Sequence, residues 1–525
     1  MARNAEPVDV VIVGSGAAGS VYAAVLAEAG KKVLVLERGR ERRMTDLYSS
    51  QIWARRLKWA APPVLEEGKD SISYNFNAGH GFGGAAMHHY AVWPRYHEED
   101  FRERTLYGRS LDWPFEYQEL RPFYDQVQEE VGISGDARKE VWRPPGAPYP
   151  LPPVLVTHHG KVIARGFDAL NIRTSPLPMA VLSAPYKGRP ACIWDGWCDA
   201  GCPIGALANP LTVYIPRALQ AGARLQANAA VTRVRTDHTG KRVTGVEYYT
   251  PAGEQVFQPA AAVVLCAFTV ENPRILLNSA DKTHPQGLAN SSGLVGCYLM
   301  SHSGVMVSGL FNEDMQNYLG ATGGQLLSQD AFAKNSDPGG AFGSRQWMIG
   351  IALKPNDLLG LAWSRPDIFG AELHQFMAEA ARSMGTMAGI CEDEPLRENR
   401  VTLAAQKDQF GMPLARATHT ASPDTKKLWA AAAAEGLKIF KAAGAREAWH
   451  SPPNGQHIMG GTIMGADRKN SVLNSVAQSH DVSNLFVGGP GVFPTSSAVN
   501  PTFTLHAVAL KSARFMVDHW GNFQS

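Results

Sequence analysis

The chain has 525 residues, of which 45% are hydrophobic and 19% are charged, and its formal net charge is +2 at pH 7. This length accommodates two or three domain-sized units, and the composition is typical of a globular protein with a large core. The small net charge excludes a general basic field, so we expect no nucleic-acid partner. The best apolar run, residues 260–270, fits a buried strand and is too short for a direct membrane span. Six cysteines are too few for a disulfide scaffold in a chain of this length.

The most informative motif lies near the N-terminus, where a β-branched run at residues 8–13 predicts a buried parallel strand. A G-x-G-x-x-G loop, an Ala-rich helix pattern and a second strand pattern ending at Glu37 follow it. In such a unit the glycines allow a tight turn, a close approach of backbone to a pyrophosphate, and close packing of helix on strand. The helix N-terminus offers N–H groups and a positive dipole end to phosphates. The pattern predicts a Rossmann-type dinucleotide site in which Glu37 accepts hydrogen bonds from a ribose.

The rest of the chain varies in regularity. Residues 205–280 alternate between helix and strand patterns, with a strand predicted over 223–234. Residues 137–190 are Pro-rich, and we interpret them as an irregular segment that wraps the surface. Residues 301–449 are less patterned and predict a separate lobe. The chain then returns to Gly-rich motifs and ends in a predicted helix at 504–520.

Two Gly-rich motifs in the tail carry further signals. They are NGQHIMGGTIMGAD at 454–467 and NLFVGG at 484–489, and V-N-P-T follows at 499–502. Together with the N-terminal unit, these motifs resemble the glucose–methanol–choline (GMC) oxidoreductases. Within that family the chain is most similar to the FAD-containing large subunits of bacterial glucose, fructose, sorbitol and gluconate dehydrogenases. The resemblance covers most of the chain and is thinner between 300 and 450, where substrate contacts would lie.

The resemblance implies FAD, with a catalytic pair above the flavin N5 at His457 and Asn500. The chemistry agrees, because oxidation of an alcohol requires removal of its hydroxyl proton while a hydride leaves the carbon. A neutral imidazole takes such a proton at physiological pH, and an amide orients the alcohol oxygen without competing for the proton. The alternatives are a structural histidine beside a Gly-rich turn and a turn-forming Asn before Pro501.

A second flavin motif of the family corresponds to residues 83–89, where small residues let the backbone approach the flavin. In some relatives a histidine at the place of His88 is bonded covalently to the flavin, and this remains open here. Val231 falls where the family holds adenine with its backbone. The residues assigned to FAD are Gly14, Gly16, Ala17, Ala18, Gly19, Glu37, Arg38, Gly83, Gly84, His88, Val231, Gly489, Asn500, Pro501 and Thr502.

Three cysteines, Cys192, Cys198 and Cys202, share one short loop with the spacing C-x5-C-x3-C. Three thiolates on such a loop suit an iron–sulfur cluster, and the resembling dehydrogenases carry a [3Fe-4S] cluster at this spacing. Zinc with an added His or Asp, one disulfide plus a free thiol, and three inert cysteines are the alternatives. The loop also departs from the relatives, which carry a doubled Cys at the place of Cys192.

A cluster beside a flavin provides a one-electron exit, which favours a dehydrogenase over an oxidase. The resemblance therefore implies oxidation of a hydroxyl of a sugar, polyol or sugar acid, with electrons passing to an external acceptor such as a cytochrome c. The alternatives are a GMC-type oxidase that makes hydrogen peroxide, an aryl or aliphatic alcohol dehydrogenase, and a non-catalytic subunit that keeps the flavin. In the less patterned lobe, Trp363 is a candidate for stacking on a sugar ring, for contact with an aryl alcohol, or for the core.

We expect an α/β FAD-binding domain at 1–300 that includes the Cys-rich loop 189–207. A substrate-binding lobe of α+β character, built on a sheet, is expected at 301–449. The C-terminal return at 450–525 carries the catalytic pair. The first strand pattern begins so early that it leaves no room for a cleaved signal peptide. We therefore expect either export to the periplasm with a small subunit that carries the signal, or a cytoplasmic location.

Overall fold

The computed structural model describes residues 3–50, 52–54, 57, 63–362 and 364–523. The strands are β1 (Arg3–Asn4), β2 (Val8–Val13), β3 (Val33–Leu36), β4 (Leu65–Glu67), β5 (Ser175–Pro176), β6 (Arg224–Gln226), β7 (Ala230–Thr236), β8 (Val243–Tyr249), β9 (Gln255–Leu265), β10 (Met300–Leu310), β11 (Leu326–Ser328), β12 (Arg345–Ile349), β13 (Met384–Cys391), β14 (Arg400–Lys407), β15 (Pro413–Thr418), β16 (Glu447–His450), β17 (Asn454–Met459) and β18 (Leu485–Val487). The helices with described bounds are α1 (Ala17–Glu28), α2 (Tyr74–Asn77), α3 (Glu103–Tyr107), α4 (Tyr117–Val131), α5 (His158–Ala169), α6 (Tyr214–Gln220), α7 (Glu271–Asn278), α8 (Pro355–Ala362), α9 (Ala371–Ser383), α10 (Pro423–Ala442) and α11 (Thr502–Asp518).

The first sheet is built around parallel strands in the order β6-β3-β2-β9-β18. The β2 and β3 strands consist almost entirely of buried Val, Leu and Ile side chains, as strands covered on both faces require. The β9 strand is longer: its second half pairs with β2 and β18, and its first half pairs antiparallel with β8. This architecture confirms the α/β class with a Rossmann-type unit at the N-terminus.

The second sheet is antiparallel, in the order β16-β10-β13-β12-β11-β5, with β17 pairing on β10 beside β16. Its two faces differ because side chains alternate along each strand. Val307, Trp347 and Met387 point to one face and pack against Phe167 of α5 and Phe440 of α10. The residues between them, which include those at 306, 348 and 388, point to the opposite face, toward the first sheet and the C-terminal segment. A small third sheet joins β14, β15 and β4.

Two sequence predictions need correction. Residues 137–190 are not irregular throughout, because α5 occupies 158–169 and buries Val162, Ile163 and Phe167 on one face. The helical spacing of these apolar residues was present, but the prolines on both sides obscured it. The single strand predicted over 223–234 is two strands, β6 and β7, because the chain turns at Asn228 with φ of +53°. The final helix, predicted at 504–520, is confirmed over 502–518.

The domain boundaries at 300 and 449 stay a prediction, although the sheets cross them. The β5 strand and helix α5, from the first predicted domain, belong to the second sheet and its helical cover. The β17 strand, from the C-terminal return, pairs with β10. The second sheet therefore recruits chain from all three predicted regions.

His159 makes the fold sensitive to acid. It is buried in α5 and accepts a hydrogen bond from the N–H of Thr386 at 2.9 Å, and burial lowers the pKa of His159 to about 3. An unfolded histidine titrates near 6.5, so below that pH the unfolded chain binds a proton that the folded chain does not. Stability contributed by His159 is therefore lost as the pH falls, by about 2 kcal/mol at pH 5.

We expect His159→Gln to reduce the acid-induced loss of unfolding free energy between pH 7 and pH 5 by about 2 kcal/mol. Denaturant unfolding at the two pH values measures this difference. His158→Gln, which removes the neighbouring half-exposed imidazole, is the matched control. An acid sensitivity equal to that of the parent chain in His159→Gln would rule out this account.

Candidate active site

A cavity of about 510 Å³ lies where the first sheet, the second sheet and the C-terminal segment meet. Most of the site residues predicted from the sequence line it, although they come from distant parts of the chain. Gly19, Gly83 and the three loop cysteines do not. The predicted residues that line the cavity are Gly14, Gly16, Ala17, Ala18, Glu37, Arg38, Gly84, His88, Val231, His457, Gly489, Asn500, Pro501 and Thr502.

Glycine is needed at different positions of the first loop for different physical reasons. A Cβ on Gly14 would lie 2.3 Å from the carbonyl oxygen of Cys266, and a Cβ on Gly19 would lie 2.0 Å from that of Gly14. Packing within the protein therefore demands these two glycines. A Cβ on Gly16 would come no closer than 3.9 Å to Gly83, and Gly16 faces the cavity. Among the described residues no side chain caps α1 at Gly16, so this end of the helix is an open cradle for a phosphate.

Glu37 ties the two predicted flavin motifs together. Its Oε2 accepts hydrogen bonds from the N–H of Ser15 at 3.0 Å and from the Ser15 hydroxyl at 2.8 Å. Its Oε1 accepts from the N–H groups of Gly39 at 2.8 Å and Gly81 at 3.1 Å. A carboxylate offers about four such positions. The ribose contact stays a prediction, and a ribose hydroxyl would have to share or displace one of these donors.

His457 is aimed into the cavity by an irregularity in the second sheet. The pairing of β10 with β17 shifts register between Ser301 and His302, opposite His457, and His457 has a φ of +53°. Positive φ is uncommon outside glycine, and such bulges re-aim side chains beside active sites. The N–H of His457 donates to Oδ1 of Asn77 at 2.9 Å. Its Nε2 lies 3.3 Å from Nδ2 of Asn500.

His302, which the sequence analysis missed, decides the protonation pattern of His457. Nε2 of His302 lies 2.8 Å from the carbonyl oxygen of Ser497 and 3.1 Å from that of Ser496. Carbonyls only accept, so this Nε2 carries the proton and Nδ1 of the neutral ring is an acceptor. Nδ1 of His457 faces it at 3.1 Å and must donate. The lone pair of His457 is therefore on Nε2, beside Asn500.

Electrostatics keep this pair neutral. Burial, and then the neighbouring His302 ring, lower the pKa of His457 well below its ordinary value. Burial also lowers the pKa of His302. The imidazole of His457 is therefore a neutral base at and below physiological pH, with its free nitrogen directed to the cavity.

The floor of the cavity on the second-sheet side is apolar. Met306 of β10 and Met348 of β12 both stand opposite Ala388 of β13 in register, and all three line the cavity. Ile351 and Leu361 extend this surface. Trp363, the sequence candidate for substrate stacking, lies outside the described residues.

Basic side chains are sparse around the cavity. Arg38 follows Glu37 at the side of the cavity formed by the glycine loop at 14–19, here called the phosphate-loop side. It pairs with Glu271 and Asp408 at 3.6 and 3.4 Å. Among the described lining residues Arg38 is the one lysine or arginine. His88 is buried, and its Nε2 lies 3.0 Å from the carbonyl oxygen of Ala78. Covalent linkage of flavin at His88 stays a prediction.

The three loop cysteines lie next to the cavity without lining it. Sγ of Cys192 accepts from the N–H of Trp194 at 3.3 Å, and Sγ of Cys202 accepts from that of Leu207 at 3.4 Å. Burial raises the pKa of Cys192 to about 11 and also raises the pKa of Cys198.

The structure gives no support to the predicted [3Fe-4S] cluster. All six cysteines, each of them described, are unpaired thiols. In the described part of the chain no group of three or more His, Cys, Asp or Glu side chains is arranged to hold a metal ion.

Comparisons with known proteins agree with the geometry. Residues 9–89 match an FAD binding domain, and residues 165–303 and 395–509 match the N- and C-terminal regions of GMC oxidoreductases. The 2-methyl-1,2-propanediol dehydrogenase of Mycolicibacterium austroafricanum is 32% identical, over 98% of this chain and 96% of that protein. The chain belongs to the GMC oxidoreductase family. It is an FAD-dependent enzyme that acts on CH–OH donors.

Two further comparisons define the relationship. The fructose dehydrogenase large subunit of Gluconobacter japonicus is 29% identical, over 98% of each chain. A crystallised formate oxidase of Aspergillus oryzae RIB40 shares the fold, with a TM-score of 0.72 and 16% identity over 99% of this chain and 100% of that one. In the part of the chain that the structure describes, no helix has the length and apolarity to cross a membrane.

The Gly16 position tests whether the loop is a cradle for FAD. Because a side chain there enters open cavity, Gly16→Val should fold normally. It should bind FAD about tenfold or more weakly, since a clash with the cofactor costs about 1 to 3 kcal/mol. Flavin absorbance per chain and a titration of the apoprotein with FAD measure the loss.

Gly19→Ala is the contrasting variant. Its added methyl would meet backbone at 2.0 Å, so we expect a lower thermal midpoint and not a selective loss of flavin. Normal flavin content in Gly16→Val would contradict the assignment of this loop.

Proposed function

We propose that this protein is an FAD-dependent dehydrogenase that oxidises a hydroxyl of a small alcohol or diol with an apolar, branched body. One observation carries the proposal: the unprotonated Nε2 of His457 faces the cavity beside Asn500, above an apolar floor. The relative from Mycolicibacterium, a 2-methyl-1,2-propanediol dehydrogenase by name, supports the same class of substrate.

His457, Asn500 and the bound FAD have separate roles in the reaction. Nε2 of His457 receives the hydroxyl proton of the substrate. The amide of Asn500 has two N–H groups, and the one not directed to His457 donates to the substrate oxygen as negative charge develops there. The bound FAD would supply the acceptor for the hydride that leaves the carbon bearing this hydroxyl. Nδ1 of His457, as a donor to His302, keeps the resulting imidazolium in place.

The apolar floor on the second-sheet side disfavours a sugar or a sugar acid, whereas polar lining residues such as Asn454 and Gln456 favour the second candidate given below. A sugar presents several hydroxyls, and each one left without a partner on the apolar floor costs about 1 to 3 kcal/mol. A sugar acid also needs a cation for its carboxylate, and Arg38 is already paired with Glu271 and Asp408 at the phosphate-loop side. The methionines at 306 and 348 instead fit methyl groups, since methionine adapts to irregular apolar shapes. Sugar oxidation, which the fructose dehydrogenase large subunit suggests, is the second candidate.

The electron acceptor is a further part of the proposal. Asp199 and Thr322 line the cavity, and the Thr322 hydroxyl donates to the carbonyl oxygen of Gly196 at 2.8 Å. The Cys-rich loop therefore adjoins the cavity. Its three thiols, at the spacing described above, support a [3Fe-4S] cluster at Cys192, Cys198 and Cys202, with an external acceptor such as a cytochrome c. A small partner subunit and export with it are proposed on the similarity to a protein described as a large subunit.

Anaerobic flavin reduction tests the catalytic proposal. We expect 2-methyl-1,2-propanediol and similar branched alcohols to bleach the flavin absorbance with a higher kcat/KM than glucose, fructose, sorbitol or gluconate, by about tenfold or more. His457→Asn should retain FAD and bleach about a hundredfold to ten-thousandfold more slowly, because it lacks the base. Stopped-flow absorbance measures both.

The outcomes separate the alternatives. A hexose as the best substrate would overturn the apolar assignment, and an absence of bleaching by every alcohol would overturn the enzymatic one. Unchanged bleaching in His457→Asn would remove His457 from the mechanism. Stoichiometric hydrogen peroxide in air would favour an oxidase.

Iron content tests the loop. If the cluster exists, anaerobically purified protein should contain about three irons per chain, and Cys198→Ser should lose them. Cys391→Ser, in buried β13 outside the loop, is the matched control. Flavin without iron in the parent chain would make the three loop cysteines structural.

A further inference from the structure

Asn500 is held by a line of hydrogen bonds that runs away from the cavity. Its Oδ1 lies 2.9 Å from Nε2 of Gln346 in β12. Oε1 of Gln346 lies 2.9 Å from Nε2 of Gln329, and Oε1 of Gln329 lies 3.1 Å from Nε2 of His97. Gln329 and Gln346 are buried, and the ring of His97 stacks on Phe332 with centroids 3.7 Å apart. Neither glutamine lines the cavity.

The direction of this line follows from one anchor. The carbonyls of Ser496 and Ser497 force the proton of His302 onto Nε2, and His457 then carries its lone pair on Nε2. Nδ2 of Asn500 must face that lone pair, so its Oδ1 faces Gln346, whose amide must present N–H. The same reasoning orients Gln329 and places a proton on Nε2 of His97.

The reversed arrangement would disable the site. If the Asn500 amide flipped, its Oδ1 would face Nε2 of His457, and only a protonated Nε2 would satisfy it. The base would then carry its proton on the wrong nitrogen, and Asn500 would no longer offer an N–H to the substrate oxygen. A neutral amide by itself has little preference between the two orientations, so its partners on both sides have to supply it, His457 at Nδ2 and Gln346 at Oδ1.

We propose that Gln346 is a positioning residue that holds the Asn500 amide in its productive orientation, and that Gln329 and His97 fix Gln346 in turn. This inference rests on the proposed role of His457 and Asn500. It adds a requirement beyond the catalytic pair itself, namely that residue 346 donates an N–H to Oδ1 of Asn500. A residue that only filled space at this position would have no such requirement.

Two variants of Gln346 separate these cases. Gln346→Glu keeps the shape, and the introduced carboxyl donates to Asn500 only while it is protonated. We expect a near-parental rate of flavin reduction at low pH, and a fall in this rate of about tenfold or more as the carboxyl ionises. This fall is a new limb in the pH profile of the rate, and the parent chain lacks it. Gln346→Met removes the donor at every pH and should lower kcat by about tenfold to a hundredfold with little change in KM.

The new limb has to be distinguished from other groups that titrate nearby. The pH profile of the variant is therefore compared with that of the parent chain in the same buffer and salt, since the other titratable groups are identical in the two chains. Those facing the line of bonds are His97, His302, His457, Asp100, Glu103, Lys334, Glu392 and Asp393.

A second measurement does not depend on turnover. In protein labelled with ¹⁵N at histidine, the His457 signal, assigned by its loss in His457→Asn, reports which ring nitrogen carries the proton. We expect the proton on Nδ1 in the parent chain, and a shift toward Nε2 in Gln346→Glu at high pH. If no alcohol reduces the flavin of the parent chain, the proposed function fails while this measurement still decides the orientation.

Control variants separate the loss of this hydrogen bond from a general loss of stability. Gln325→Met removes another buried glutamine of the second sheet region, one that bonds Thr157 and Gly350, and should lower the thermal midpoint without a new pH limb. If the Gln346 variants do not fold, Gln329→Met tests the next link and should lower kcat in the same direction. A parental pH profile in Gln346→Glu, parental kcat in Gln346→Met, or a proton on Nε2 of His457 in the parent chain would overturn the proposal.

Discussion

The hydrogen bonds from His302 to the carbonyls of Ser496 and Ser497 determine the chemistry of this site. Because carbonyls cannot donate, they place a proton on one nitrogen of His302, and that choice passes through His457 to Asn500. The backbone of the C-terminal segment thus decides which ring nitrogen of the base is free. If His302 carried its proton on Nδ1 instead, His457 would carry its own on Nε2, and the proposed base would have no lone pair toward Asn500.

That segment is itself held by buried charge. Lys334 is fully buried and lies within 3.0 Å of carboxylates of Asp100, Glu103 and Glu392, and the Ser497 hydroxyl donates to Asp100 at 2.8 Å. Burying such a cluster is a weak source of stability, but a cluster with these partners tolerates few arrangements. It therefore serves chiefly to place the 495–500 segment relative to the second sheet. The burial that lowers the pKa of His457 and the placement of Asn500 come from the same packed region.

The cavity joins two surfaces with different origins. The phosphate-loop side is built from backbone, where Gly14 and Gly19 satisfy packing and Gly16 leaves room for a ligand. The substrate side is one face of the antiparallel sheet, where alternation directs Met306, Met348 and Ala388 inward and Trp347 to the helices behind. Family membership accounts for the first surface, and we propose that the particular side chains of the second select the substrate.

The sequence by itself determined the N-terminal α/β unit and the family, because both depend on local motifs with a fixed spacing. The resemblance to that family predicts the pair of His457 and Asn500, whose side chains the structure brings within 3.3 Å of each other. The sequence analysis overlooked α5, whose periodicity lay between prolines, and the metal cluster that it predicts at the three loop cysteines stays a proposal. Only the tertiary structure revealed His302 and Gln346. They sit on β10 and β12, more than a hundred residues before their partners in the chain, and their roles arise from strand register, a bulge at His457 and the direction of hydrogen bonds across the sheet. Such long-range pairings leave no local pattern, so a single sequence cannot display them.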